Sequence, residues 1–74
     1  MIKIYTSENC VWCKRMKRYL DSRNAVYEEL DVSEPKNAEA VYLLSGQNAV
    51  PVTVIGNRVI VGFDTNAADA ALES

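Results

Sequence analysis

Seventy-four residues leave room for one domain, spanning 1–74, with a small core. The 49% hydrophobic and 24% charged fractions belong to an ordinary globular chain rather than a disordered or membrane-spanning one. With two cysteines and no histidine, Ser/His and Cys/His catalytic pairs are excluded and a metal site is not expected, while a net charge of −2 argues against nucleic acid and anionic membrane as partners.

Ile2-Lys3-Ile4-Tyr5 alternates with period two and runs into Thr6-Ser7-Glu8-Asn9, so a strand followed by a loop is predicted. A helix is predicted from Cys10 to about Ser22, with Asn9 as its N-cap and Arg23-Asn24 as its end. At 100° per residue, Trp12, Met16, Tyr19 and Leu20 share one arc, the expected core face. Val26, Glu28, Leu30 and Val32 stand two apart and predict a second half-buried strand. Ser33 is expected to cap a helix that has Pro35 in its first turn, carries Ala38, Val41, Tyr42 and Leu43 or Leu44 inward, and stops at Ser45-Gly46.

Two β-branched runs, Val50 to Ile55 and Arg58 to Val61, flank Gly56-Asn57 and predict a hairpin. Pro51 lacks the N–H a ladder would use and should mark a strand start; by general preference the Val50-Pro51 bond would be trans. Gly62-Phe63-Asp64-Thr65 leads into a final short helix over Asn66 to Ser74, capped by Asp64 or Thr65. The order is β-α-β-α-β-β-α, an α/β chain with a four-stranded mixed sheet and helices on both faces.

The chemistry concentrates at Cys10-Val11-Trp12-Cys13. Helix positions i and i+3 are neighbours, so the two thiols can join as a disulfide and separate again. The N-terminal end of a helix carries about half a positive charge and lowers the pKa of a cysteine in its first turn. Cys10 lies about 120° from the centre of the core face and Cys13 about 60°, taking 100° per residue. Cys10 is therefore the expected attacking thiol and Cys13 the shielded resolving one. The rival reading, a structural staple, is weak: a four-residue loop contributes ~2 kcal/mol by the chain-entropy model, against ~3 for fifteen residues. Lys14 stands four residues after Cys10 and Lys17 four after Cys13, placed either to favour thiolate and attract an acidic partner or to form a solvated helix face, the reading given to Arg15 and Arg18. Trp12 is expected to flank the site, and Tyr5, Tyr19, Tyr27 and Tyr42 to pack.

Ile4-Tyr5-Thr6, the Cys10 to Cys13 motif at a helix start, Ala49-Val50-Pro51 before the hairpin and Gly62-Phe63-Asp64 after it together resemble a glutaredoxin, within the thioredoxin-fold superfamily. The resemblance covers essentially the whole chain. It implies that Cys10 is the nucleophile, that Cys13 resolves the mixed disulfide, and that Pro51 is cis; with no histidine to act as base, the helix end, with Lys14 as an auxiliary, is expected to make the Cys10 thiolate. It further implies that Trp12, Val50, Pro51, Gly62, Phe63 and Asp64 bind the substrate, with Val50 offering its backbone to an extended segment or to glutathione.

Three positions depart from the family. Ser7 stands where a basic residue usually binds a glutathione carboxylate, Gln47 and Asn48 stand where another basic residue is often found, and of the family's paired acids only Asp64 remains before Thr65. Each loss removes a charge-assisted contact of ~1.5–3 kcal/mol, so a weakened glutathione site is implied. Val11 resembles the small redoxins that pass electrons from thioredoxin reductase to ribonucleotide reductase, whereas Trp12 suits a group of bacterial and archaeal glutaredoxin-like proteins. The expected function is a dithiol oxidoreductase that reduces protein or mixed disulfides. No cofactor is expected to be bound, glutathione or thioredoxin reductase is the expected electron source, and iron-sulfur cluster carriage is a lesser alternative. A cytoplasmic monomer is expected.

Overall fold

The computed structural model describes residues 1–74. Its elements are β1 (Ile2–Thr6), α1 (Val11–Ser22), β2 (Glu28–Asp31), α2 (Pro35–Ser45), β3 (Val52–Ile55), β4 (Arg58–Val61) and α3 (Thr65–Glu73), the order expected. The four strands form one mixed sheet in the order β2-β1-β3-β4. β1 runs parallel to β2, with Ile4 beside Glu29, and antiparallel to β3, with Tyr5 beside Val52. The β3–β4 hairpin pairs Ile55 with Arg58 across Gly56-Asn57. Gly56 has φ 62°, a left-handed conformation that glycine supplies without steric cost at the head of a two-residue turn.

Alternation along the strands divides the apolar residues between two layers. Ile4, Ile55 and Ile60 meet Met16 and Leu20 of α1 and Ala68 and Ala71 of α3 on one face, forming the larger core. Tyr5 and Val52 meet Val41 of α2 on the other. Ile4, Met16 and Leu20 are withdrawn completely from water, each contributing roughly 1.5–3 kcal/mol of burial. A polar clamp fastens α1 to α3 at the far end from the cysteines. The Tyr19 hydroxyl donates to Asp69, and Arg23 donates to the same hydroxyl at 2.9 Å and to Asp69 Oδ2 at 3.1 Å. These partners hold the Arg23 guanidinium pKa above its usual value, the Tyr19 bond being the largest cause.

Several expectations are corrected. Asn9 does not cap α1; it sits at φ 57°, which Asn tolerates, and the turn it makes delivers Cys10 to the cap position instead. Ser33 does not cap α2: Pro35 restricts Glu34 to an extended conformation, φ −80° and ψ 125°, which puts Glu34 at the cap, and Ser33 lies in the preceding turn with its N–H donated to Asp31 Oδ1 at 2.8 Å. Glu34 therefore stands at the cap without a side-chain bond.

Val26 is 90% exposed, since β2 begins only at Glu28. Trp12 lies outside the core, and Tyr42, Leu43 and Leu44 all point outward from α2, whose buried residues are Asn37 and Val41, one turn apart. Val50-Pro51 is cis, as the family resemblance implies and general preference does not. No helix is long and apolar enough to cross a membrane.

Candidate redox site

The start of α1 sits at the C-terminal end of β1, where the loop Ser7 to Asn9 turns the chain into the helix. Cys10 is the cap residue, extended at φ −104° and ψ 105°, and its Sγ accepts the N–H of Cys13 at 3.2 Å. In most helices that N–H would be answered by a Ser, Thr, Asp or Asn oxygen. Here the sulfur itself receives it, so charge that develops on Cys10 during reduction meets both a donated N–H and the positive end of the helix.

Cys10 and Cys13 are joined as a disulfide, their Cα atoms 5.2 Å apart. The two residues occupy unlike surroundings. Cys13 is 1% exposed and Cys10 is only half-buried, which is the asymmetry expected from their positions around the helix. A reagent from solution reaches Cys10 more easily.

Trp12, two residues after Cys10, walls an open groove of about 260 Å³ together with Val50, Pro51, Gly62 and Phe63. Five of the six positions assigned to substrate binding thus come together from three separate parts of the chain. Trp12 and Phe63, 51% and 40% exposed, form its apolar rim with ring centroids 5.6 Å apart, and the Arg15 guanidinium stands 4.6 Å over the Trp12 ring. Arg15 is exposed, as expected of the solvated face, and stacks on the rim residue Trp12. The Gly62 N–H donates to the Pro51 carbonyl at 2.8 Å and ties the loop after β4 to the loop before β3. Val50 forms no backbone hydrogen bond of its own, so its N–H and C=O are open to an added strand. Asp64, the sixth position, caps α3, with Oδ1 accepting the Ala67 N–H at 3.0 Å.

On the other side of α1, Cys13 contributes to a polar hollow of about 320 Å³ with Lys14, Lys17 and Glu29. Cys10 is not among its walls. Lys14, assigned as the auxiliary of Cys10 on spacing, thus shares a cavity with Cys13. Lys17 Nζ lies 2.9 Å from Glu29 Oε2, and the Thr6 hydroxyl donates to the same oxygen at 2.8 Å. The Lys17 ammonium first, and the Thr6 hydroxyl second, hold the Glu29 carboxyl below its ordinary pKa.

Glu29 is missed by sequence reasoning because the period-two pattern makes β2 apolar on one side and solvated on the other. Its pairing beside Ile4 turns Glu29 toward α1. The available signal is that Tyr27, Glu29 and Asp31 alternate with Glu28, Leu30 and Val32, so neither side of this strand is purely polar.

A glutaredoxin family model matches residues 2–60. A glutaredoxin-like 8.6 kDa protein encoded in a rubredoxin operon of Clostridium pasteurianum is 40% identical over 74 residues, covering 99% of both chains. Among solved structures, the glutaredoxin-like protein NrdH-redoxin from Escherichia coli superposes with a TM-score of 0.85 at 30% identity, covering 93% of this chain and 91% of that one. Methanosarcina acetivorans methanoredoxin does so at 0.83 and 28%, covering 99% and 84%. The mixed four-stranded sheet is thus a thioredoxin-like fold, and the chain belongs to the glutaredoxin family, as a glutaredoxin-like redoxin with a Cys10–Cys13 pair.

Proposed function

We propose that the protein is a dithiol oxidoreductase that reduces protein disulfides. The observation that carries this reading is the unequal exposure of two bonded cysteines at one helix start, with a groove that has an open backbone edge walled by Trp12 of the same helix turn. Cys10 thiolate attacks a substrate disulfide while the substrate chain lies along Val50. Cys13 thiolate then attacks Cys10 Sγ, the bond between Cys10 and the substrate breaks, and the substrate leaves as a thiolate that takes a proton from water. Two electrons pass to the substrate, and the Cys10–Cys13 bond is left for a reductase to open.

A second reading concerns the electron source and recipient. None of the five residues walling the groove is charged, Arg15 over Trp12 is a single cation at its rim, and Ser7, Gln47 and Asn48 add none, whereas glutathione presents two carboxylates. This favours thioredoxin reductase over glutathione, in keeping with the thioredoxin-like activity profile ascribed to the Escherichia coli NrdH-redoxin. Ribonucleotide reductase is then a candidate recipient.

A coupled NADPH assay on a protein disulfide, run in parallel with thioredoxin reductase and with glutathione plus its reductase, tests both readings. Turnover in the first arm exceeding the second by tenfold or more is expected. Equal rates would remove the second reading, and no turnover in either arm would remove the first.

A further inference from the structure

The two cysteines face different electrical surroundings, and those of Cys13 follow from the polar hollow rather than from the helix end. Five charged groups line that cavity: Glu8 from the loop after β1, Lys14 and Lys17 from α1, and Glu29 and Asp31 from β2. Lys17 and Glu29 neutralise each other through a 2.9 Å contact that Thr6 steadies from the β1 side. Lys14 makes no salt bridge within 4.0 Å, so it is the cation left unpaired beside the resolving cysteine.

Resting on the disulfide-reductase reading above, we propose that this hollow sets when Cys13 deprotonates: Glu29 is a positioning residue that cancels the charge of Lys17 and keeps Cys13 a thiol, and Lys14 steadies its thiolate in the resolving step. Cys13 is almost out of contact with bulk water, and the hollow is the polar space into which its proton can pass. In the balanced step the Cys13 S–H proton goes to water, the new thiolate bonds to Cys10 Sγ, the mixed disulfide breaks, and the released thiolate is protonated by solvent. A resolving thiol held protonated does not compete with Cys10 for the first attack. The ordering of the two thiols thus rests on two separate features, the helix end for Cys10 and the neutralised lysine for Cys13.

This assignment differs in sign from a general-base role for Glu29. Were Glu29 the proton acceptor, its amide would slow resolution. As a charge that cancels Lys17, its amide leaves Lys17 unpaired and makes the Cys13 thiolate easier to form.

The test is stopped-flow reaction of the reduced protein with an aromatic disulfide, 5,5′-dithiobis(2-nitrobenzoate). Attack by Cys10 releases a first coloured thiolate, and resolution by Cys13 releases a second. The pH profile of each phase is recorded from pH 5 to 9. Glu29→Gln should lower the midpoint of the second phase by about half a unit to one unit, and Lys17→Met and Lys14→Met should each raise it by a similar amount, with partial solvent screening. The double variant Glu29→Gln/Lys17→Met should return close to wild type, and the first phase should move little throughout.

A merely structural role would shift both single variants the same way, and that result overturns the proposal, as does an upward shift or a uniform slowing in Glu29→Gln. An intact first phase with an unmoved second phase removes this inference alone. A wild-type protein with no first phase removes the reductase reading and the inference with it.

Discussion

The two sides of the first turn of α1 differ in almost every physical respect. Toward Trp12 the surface is apolar and aromatic, open to solvent, and ends in an unpaired backbone edge at Val50. Toward Cys13 it is charged and polar, with Lys17 and Glu29 paired to each other and Lys14 left without a salt bridge. Two chemically identical thiols three residues apart are made different by the strands that flank them, the Pro51 and Gly62 loops on one side and the edge of β2 on the other. The lesson is that helical position sets the unequal exposure of the two sulfurs, whereas tertiary contacts supply the apolar groove on one side and the charged hollow on the other.

The comparison breaks most completely at the sulfurs. Cys10→Ser should abolish disulfide reduction, whereas Cys13→Ser should retain the first attack and accumulate a mixed disulfide that mass spectrometry detects on Cys10. Met16 lies under both sides with no exposure, so Met16→Ala should cost about 2–5 kcal/mol in denaturant unfolding through loss of burial and the cavity left behind. It should blunt both thiols by loosening the helix that holds them.

Smaller changes sharpen one side at a time. Trp12→Ala removes the groove's largest apolar wall and its contact with Phe63, and is expected to raise KM for a protein substrate several-fold, roughly the 0.5–1.5 kcal/mol of an aromatic pair, with little effect on reaction with a small aromatic disulfide. Thr53, behind the site on β3, has a fully buried hydroxyl without a hydrogen-bond partner. Thr53→Val should stabilise the fold by about 1 kcal/mol in the same unfolding experiment and leave both sides of α1 unchanged.

The smallest effect belongs to Glu29. Its carboxyl titrates below its unfolded value, so it contributes stability that is present above the ordinary Glu pKa and is lost as pH falls through the lowered folded one. The group is partly exposed and screened, so only a slight difference is expected; acid unfolding curves of wild type and Glu29→Gln should diverge above pH 4.5 and converge in stronger acid.

How much of this is legible in the sequence differs between the two sides as well. The hairpin, the order of elements and the angular positions of Cys10 and Cys13 follow from local rules, turn chemistry and helical periodicity, which act within a few residues. The groove is legible only through resemblance, because Trp12, Val50 and Phe63 lie too far apart in sequence for any local pattern to join them.

The hollow is legible only on its α1 side, where helical spacing puts Lys17 beside Cys13. Glu29 meets Lys17 across 12 positions and Thr6 across 23, and the strand pairing that brings them together is set by which residues bury best, not by the charges themselves. Helix caps fail for a related reason: Asn9 and Ser33 have the right chemistry for a cap, but a left-handed turn in one case and the extended Glu34 before Pro35 in the other move the helix start by one residue.

The most direct test of unequal thiols is alkylation of the fully reduced wild-type protein by iodoacetamide across pH 5 to 9, with each cysteine followed by peptide mass spectrometry. Cys10 should be labelled first, with a midpoint below the roughly 8.5 of a free thiol, while Cys13 stays unlabelled until Cys10 is fully modified. Equal labelling of the two, or labelling of Cys13 ahead of Cys10, would contradict the division of roles between them.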